Sequence, residues 1–294
     1  MTRSSSWGDF GKGMAFIAPW LIGFCAFTVI PVALAIYFSF CDYPLLEPPV
    51  FIGKQNYREL AADPVFHNAL WNTTKYAMMA LPAGMAVSLG LALLLNTNIV
   101  GQPVYRTIIF LPSLVPITAS AMLWLWVFNA RLGLLNHLLG LIGIEGPGWI
   151  TNPSWALPSL AFMSLWGVGH TVVIYLAGLQ DVPKDLYEAA EIDGATGWRR
   201  MWHVTLPMIS PVIFFNLIIA IIGVFRVFEA PFLITLGGPA RATYLFSYYL
   251  YDNAFVFLRM GYASAMAVIS LTIVLAMTGL AFWSSKRWVH YQGR

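Results

Sequence analysis

Charged residues are scarce in this sequence. Only 10% of its 294 residues are Asp, Glu, Lys or Arg, whereas 59% are hydrophobic. Because soluble domains carry about 25% charged residues, most of this surface cannot face water. The composition therefore excludes an ordinary soluble protein and predicts a polytopic helical membrane protein. The formal net charge of +3 gives no indication of nucleic-acid binding.

Cysteines, metal-ligand clusters and nucleotide-binding loops are rare or absent. Cys25 and Cys41 lie too far apart along one helical segment to form a disulfide, so both are expected to pack as buried thiols. The histidines lack the spacing of metal ligands, and no nucleophile–base pair is visible, so no metal or catalytic site is predicted. The sequence has no G-x-x-x-x-G-K-[ST] phosphate loop, which excludes this chain as an ATP-hydrolysing subunit.

Six long apolar runs dominate the sequence. A membrane helix needs about 20 mostly apolar residues, and the runs that meet this length are 14–40, 72–95, 106–128, 157–179, 211–236 and 261–284. Pro112 and Pro116 lie four residues apart in the third run and predict a kink there. We therefore expect a single all-α membrane domain over residues 1–294, with six transmembrane helices.

Other segments are too short to span a membrane but carry structural signals. A short helix is expected near residues 55–62, and an interfacial helix within the apolar segment 131–144. Trp124 and Trp126 are expected in the aromatic belt at a membrane–water interface.

The distribution of Lys and Arg predicts the orientation. Cytoplasmic loops are enriched in these residues. Nine fall on the side that carries both termini and the loop 181–210, and six on the other. Both termini and this loop are therefore expected in the cytoplasm. The nine are Arg3, Lys12, Arg106, Lys184, Arg199, Arg200, Lys286, Arg287 and Arg294; the six are Lys54, Arg58, Lys75, Arg131, Arg241 and Arg259.

The loop 181–210 is a polar interruption between two apolar runs. Its pattern predicts two short helices, with Gly194 just past the end of the first, where a left-handed residue is common. Ala189 and Ala190 are small, so a partner protein could approach the backbone closely. Glu188 could pair with a basic group on that partner. The alternative is a simple connecting loop with solvated charges.

The spacing in this loop resembles a family signature. Glu188-Ala189-Ala190, Gly194 and Val204-Thr205-Leu206-Pro207 match E-A-A-x3-G-x9-I-x-L-P, with valine where isoleucine is usual. This signature marks the membrane subunits of bacterial ATP-binding-cassette (ABC) importers, here of the binding-protein-dependent carbohydrate type. Further matching pieces are Ala18-Pro19-Trp20, Pro31, Ser39-Phe40, Phe51 to Tyr57, Asn72-Thr73, Phe110-Leu111-Pro112, Leu236 to Pro239 and Gly261 to Ala265.

The resemblance implies a fold and a set of partners. The fold would be that of a type I ABC importer permease in the bacterial inner membrane. The partners would be a second, usually paralogous permease subunit, two copies of an ATPase that binds ATP and Mg²⁺, and an extracytoplasmic solute-binding protein that delivers a carbohydrate. This chain would bind no cofactor itself. Its coupling residues would be Glu188, Ala189, Ala190, Asp193, Gly194, Leu206 and Pro207.

Several residues within the runs are candidates for the solute path. Arg226 and Glu229 lie three apart in the fifth run and are expected to share a helix face, either to bind solute or to hold helices together as an ion pair. Trp166, Gly167 and His170 combine an aromatic ring, space and a polar group, which suits a pyranose. The alternative is that Trp166 packs against neighbouring helices and that His170 forms a hydrogen-bonded helix contact. The resemblance adds Ser113, because the middle of the third to fifth spans forms the sugar cavity in that family.

Three alternative functions stay open at this point. The same machinery could import glycerol phosphate, a polyol or another polar solute. An ion-coupled secondary transporter could use Arg226 and Glu229 as a relay, but it gives no reason for the motif at 188–207. A membrane-embedded enzyme would need clustered nucleophiles or metal ligands, which the sequence does not offer.

Overall fold

The computed structural model describes residues 7–97 and 100–290. Within these ranges the chain is almost entirely helical, as the sequence predicts. The α-helices are α1 (Trp7–Phe24), α2 (Ile30–Phe38), α3 (Gln55–Ala62), α4 (Pro64–Leu95), α5 (Gln102–Phe110), α6 (Ile117–Val127), α7 (Leu134–Leu141), α8 (Pro153–Ser164), α9 (Gly169–Gln180), α10 (Lys184–Ile192), α11 (Gly197–Arg200), α12 (Leu206–Met208), α13 (Ser210–Val224), α14 (Phe246–Tyr251) and α15 (Met260–Ser285).

Short turns of other helical types join or extend several of these helices. Single 3₁₀ turns occupy Leu111–Leu114 and Leu165–Gly167, and π-helical turns occupy Cys25–Val29, Met201–Thr205, Pro231–Thr235 and Asp252–Val256. One small antiparallel pair, β1 (Cys41–Asp42) with β2 (Val50–Phe51), departs from the all-helical expectation. The predicted short helix near 55–62 is confirmed as α3, and a helix within 131–144 is confirmed as α7, whose interfacial location stays a prediction.

The described helices provide up to six membrane spans. Phe10–Phe38, α4 and α15 are each long and apolar enough to cross a membrane without a sharp bend. Three further pairs of helices qualify only as bent spans, with bends of 97° between α5 and α6, 51° between α8 and α9, and 65° at the start of α13. Counting each bent pair once gives the six spans expected from the sequence. The 97° bend confirms the kink predicted from Pro112 and Pro116.

The fifth run is shorter as a helix than its apolar length suggests. The sequence predicts a span over 211–236, but α13 ends at Val224 and residues 227–228 are irregular. Pro231 explains part of this difference, because it has no N–H to donate to the carbonyl of Val227 in a continuous helix. The expectation that Arg226 and Glu229 share one helix face is therefore wrong.

The described chain divides into two compact units. The first contains residues up to 63 together with 250–271, and the second contains 64–249 together with the residues from 272 onward. In the first unit, the Asn56 side chain donates hydrogen bonds to the carbonyls of Ser39 (3.0 Å) and Cys41 (2.9 Å).

Cys41 is buried as expected, whereas Cys25 is exposed, so its expected burial is wrong. The single domain over 1–294 stays a prediction, and Arg3 and Arg294 lie outside the described residues.

The second unit is built around α4. This helix packs against α8, α9 and α13. One buried cluster surrounds Trp124 and Phe128, and a second surrounds Tyr175 and Ile209. Trp124 is only 8% exposed, so its predicted place in an interfacial belt is wrong, whereas Trp126 is exposed.

Two polar side chains of α4 hold the segment that follows the π turn Pro231–Thr235. The Asn72 side chain donates a hydrogen bond to the carbonyl of Arg241 (2.8 Å). The Thr73 hydroxyl accepts a hydrogen bond from the N–H of Phe246 (2.9 Å) and is itself buried. Thr73 therefore satisfies an N–H at the start of α14, and Asn72 adds a second donor to a carbonyl that also accepts from the N–H of Tyr244.

Replacing Thr73 by valine should destabilise the protein. Thr73→Val keeps the side-chain volume but leaves the buried N–H of Phe246 without an acceptor, which costs about 1–3 kcal/mol. The control is Thr74→Val, because among the described residues the Thr74 hydroxyl bonds only to the carbonyl of Leu70 in its own helix. The measurement is the melting temperature of the detergent-solubilised protein. Equal melting temperatures for the two variants would contradict the assigned role.

Candidate functional site

A cavity of about 400 Å³ lies where three irregular segments of the second unit meet. The 3₁₀ turn Leu111–Leu114 contributes Pro112 and Ser113, and the turn Leu165–Gly167 contributes Trp166 and Gly167. The segment after α13 contributes the third wall. Irregular backbone at membrane depth is tolerated only where protein buries it or where it lines a polar cavity. The three breaks therefore mark this cavity as the place where polar groups are available inside the bundle.

All six residues proposed from the sequence for the solute path line this one cavity. They are Ser113, Trp166, Gly167, His170, Arg226 and Glu229. They come from three different spans and are separated by up to 116 positions (113 to 229) along the chain. Their convergence is a property of the tertiary structure that spacing along the sequence does not specify.

The aromatic and polar groups of the cavity are held by neighbours behind them. Trp166 is half-buried and contacts the ring of Trp124 edge to face, with centroids 6.2 Å apart. The His170 ring packs edge to face against Phe110 at 5.0 Å. The Ser113 hydroxyl donates a hydrogen bond to the carbonyl of Phe110 (2.6 Å). These contacts fix the orientation of groups whose other sides face the cavity.

Arg226 and Glu229 supply charge to the same cavity. Both side chains are exposed, and in the described part of the chain neither forms an ion pair or a side-chain hydrogen bond. Arg226 lies in the turn that follows α13, and Glu229 begins the next helical turn. The structure therefore does not contain the mutually neutralising pair that was one alternative from the sequence.

A second cavity of about 250 Å³ adjoins the first. The two share Tyr76, Ser164, Gly167, Gly223 and Val227 as lining residues. The second cavity continues along α4 to Gly84 and Met85 and along α13 back to Asn216. It therefore extends from the first cavity toward the end of the bundle where α4 finishes and α13 begins.

The predicted coupling residues lie on a helical hairpin at that same end. Glu188, Ala189 and Ala190 are on α10, none of whose residues is buried. Asp193 follows the helix, and Gly194 has φ of +73°, which confirms the left-handed position expected past the helix end. Leu206 and Pro207 belong to α12, which leads into α13.

Side-chain contacts close the hairpin. The hydroxyls of Tyr187 and Thr205 are 3.0 Å apart, and Glu191 pairs with Arg200. Tyr187 also packs against the buried cluster around Ile209. Ile192 stays 88% exposed. The hairpin is thus joined to the end of α9 and the start of α13, while the outer face of α10 is exposed.

Comparison with known proteins identifies the family. Residues 80–290 match the family model described as the inner membrane component of binding-protein-dependent transport systems. The chain belongs to this family. It is 39% identical over 287 residues to the probable ABC transporter permease YesP of Bacillus subtilis (strain 168), covering 96% of this chain and 93% of the relative.

Two further comparisons agree with this permease assignment. The chain is 33% identical to SmoG of Agrobacterium fabrum (strain C58 / ATCC 33970), the permease of a sulfoquinovosyl glycerol transport system, over 95% of this chain and 93% of the relative. The fold matches a permease chain of a bacterial alginate ABC transporter crystallised with its alginate pentasaccharide-bound periplasmic protein. That match has a TM-score of 0.81 and 24% identity, over 97% and 98% of the two chains. This chain is thus a multi-pass inner-membrane permease of a binding-protein-dependent ABC importer.

The cavity of the permease contains residues that the sequence did not single out. Tyr76 of α4 and Ser120 of α6 line it, although neither lies in a distinctive local pattern. Gly169 is buried against the neighbouring break. A Cβ added there would lie 2.9 Å from the Ile109 carbonyl oxygen, from the Phe110 Cα and from the Ser113 hydroxyl oxygen. A glycine within an apolar run was the only sequence signal of this close approach.

Gly169→Ala should impair transport by the permease. The added methyl group meets backbone atoms of the third span, so the two breaks must move apart, and such overpacking costs about 1–3 kcal/mol. We expect a several-fold loss of solute uptake. Gly90→Ala in α4 is the control, since nothing lies within 4 Å of a Cβ at that position. Uptake in whole cells, normalised to the amount of permease in the membrane, distinguishes the two; equal uptake would contradict the close packing.

Proposed function

We propose that this permease conducts a carbohydrate, delivered by an extracytoplasmic binding protein, through the cavity formed by the three helix breaks. The observation that carries the proposal is the convergence of Ser113, Trp166, His170, Arg226 and Glu229 on that one cavity. Its volume lies within the range of about 300–1,000 Å³ that is usual for small-molecule sites.

The chemistry of the lining suits a sugar. A pyranose ring has an apolar C–H face and a rim of hydroxyls, so it needs an aromatic surface beside hydrogen-bonding groups. Trp166 offers such a surface, and its contact with Trp124 limits the rotation of the indole. The relative named for sulfoquinovosyl glycerol and the alginate transporter with the same fold also support a carbohydrate cargo.

The hairpin of α10 to α12 is proposed to dock into a partner ATPase. Its exposed helix carries small residues at Ala189 and Ala190, which let a groove on the partner approach the backbone closely. Glu188 is exposed and free to pair with a basic group there. The full complex would contain a second, paralogous permease subunit and two ATPase copies that bind ATP and Mg²⁺; this chain would bind neither. Both termini and the hairpin would lie in the cytoplasm.

In this proposal, movement of the hairpin opens and closes the path. ATP binding would close the ATPase dimer and displace α10. The contacts of Tyr187 with Thr205 and with the cluster around Ile209 would transmit that displacement to α9 and α13. The cavity would then open outward to receive the sugar, and hydrolysis would restore the inward-facing state, with release through the adjoining second cavity.

Copurification from native membranes tests the assembly. The tagged permease should bring down an ABC ATPase and a second permease, and the reconstituted complex should import a carbohydrate in an ATP-dependent and binding-protein-dependent manner. If the chain transported solute alone in ATP-free vesicles, driven by an ion gradient, the proposal would be wrong.

Reversing the charge at Glu188 should uncouple the transporter. Glu188→Lys places two like charges in the proposed interface, and disrupting a buried interfacial charge pair typically costs several kcal/mol. We expect at least about a 10-fold loss of uptake with unchanged permease abundance in the membrane. Glu145→Lys, which reverses an exposed acidic residue between α7 and α8, is the control. Normal uptake by Glu188→Lys would rule out the coupling role.

Truncating Trp166 should separate an aromatic contact from simple packing. Trp166→Phe keeps a ring beside Trp124 and should retain most transport. Trp166→Ala removes the ring and should raise the sugar concentration needed for half-maximal transport by roughly 10-fold or more, by analogy with other buried aromatic contacts. Uptake kinetics over a range of sugar concentrations check this. Identical kinetics for both variants would exclude a stacking role.

A further inference from the structure

The cavity contains an arginine without an ion-pair partner among the described residues, in a place where a neutral sugar requires no cation. Arg226 and Glu229 carry the only permanent charges among the described residues that line it. An ionised side chain within the bundle is costly unless another group or water compensates its charge. Because Arg226 lines the cavity, is exposed and forms no ion pair with a described residue, its guanidinium donors are available to a solute.

We propose that the cargo carries an anionic group, and that Arg226 binds it. This inference rests on the proposed function and specifies its substrate class as an acidic saccharide. A guanidinium presents a planar fork of N–H donors that matches the two oxygens of a carboxylate, and it also fits a sulfonate or phosphate. A hydroxyl group offers one oxygen without charge and leaves most of these donors unmatched.

Glu229 adds a negative charge to the lining of the same cavity. A carboxylate only accepts hydrogen bonds, so Glu229 suits sugar hydroxyls, which can donate. Since Arg226 and Glu229 form no ion pair with each other, each charge is available to a bound molecule. The acidic group binds near Arg226, the hydroxyls near Glu229, and the apolar ring face against Trp166, so the saccharide enters in one orientation.

The experiment compares saccharides that differ only in charge. Digalacturonate and dimannuronate are tested beside their carboxyl-reduced neutral counterparts, which keep the same linkage and length. Variants are introduced into the source bacterium, so that the binding protein, the ATPase and the second permease are the native ones. Uptake in a strain lacking this permease is subtracted. Glycerol 3-phosphate is included as an anion without a sugar ring.

Replacing Arg226 should change the uptake of acidic saccharides in specific ways. The unaltered transporter takes up at least one acidic disaccharide in preference to its neutral counterpart. Arg226→Gln lowers uptake of the acidic form roughly 10- to 100-fold, as the loss of a charge-assisted hydrogen bond implies. Arg226→Lys keeps the charge and retains a larger share of uptake than Arg226→Gln. Arg58→Gln removes an exposed arginine from α3 and serves as the matched control.

The outcomes separate this inference from the proposed function. Equal uptake of acidic and neutral disaccharides, or an equal loss of both in Arg226→Gln, would overturn the anion site while leaving carbohydrate import intact. A selective loss of acidic uptake in Glu229→Gln would also contradict it, because Glu229 is assigned to hydroxyls. Uptake of glycerol 3-phosphate alone, lost in Arg226→Gln, would retain the anion site but contradict a carbohydrate cargo. Uptake of none of these anions would overturn the inference.

Discussion

The need to satisfy backbone hydrogen bonds inside a membrane governs this permease. Lipid offers no partners to N–H and C=O groups, so spans must be helical, and a broken helix persists only where other groups or water compensate the freed atoms. Here the third and fourth spans break within the bundle and α13 ends early, and all three irregular segments line the same cavity. Backbone N–H and C=O groups outside regular helices are therefore concentrated around this cavity, where a polar solute could bind to them.

The same constraint explains the supporting polar side chains. Thr73 and Asn72 would be unfavourable on a lipid-facing helix surface, but they accept from and donate to backbone groups of the irregular segment 236–246. Behind the cavity, Trp124 and Phe110 hold Trp166 and His170 in place. In contrast to these side chains, the charged groups of Arg226 and Glu229 have no partner among the described residues. That contrast supports the binding role proposed for them.

The position of the hairpin connects α10 to the helix that lines the cavity. α10 is exposed, yet Tyr187 and Thr205 join it to the segment that becomes α13, and α13 carries the cavity wall at its far end. A helix transmits displacement along its length, so in the proposed mechanism α13 would carry movement of the hairpin to the cavity wall. The proposed coupling hairpin and the proposed solute cavity are thus connected through α13 and need no direct contact.

The sequence by itself determined much of this protein. Apolar runs of about 20 residues predict the number of spans, Pro112 and Pro116 predict the largest bend, and the spacing from Glu188 to Pro207 predicts the hairpin and its left-handed Gly194. These features depend on local chemistry, namely hydrophobic length, the missing N–H of proline and the backbone freedom of glycine.

The tertiary structure alone decided the rest. Hydrophobicity cannot distinguish Trp124 in the core from Trp126 at the surface, and it cannot indicate that an apolar run stops being helical at Val224. It also cannot bring Ser113, Trp166 and Arg226 together or separate Arg226 from Glu229. Those outcomes depend on which helix faces pack against each other, and packing is set by shape complementarity between residues far apart in the chain.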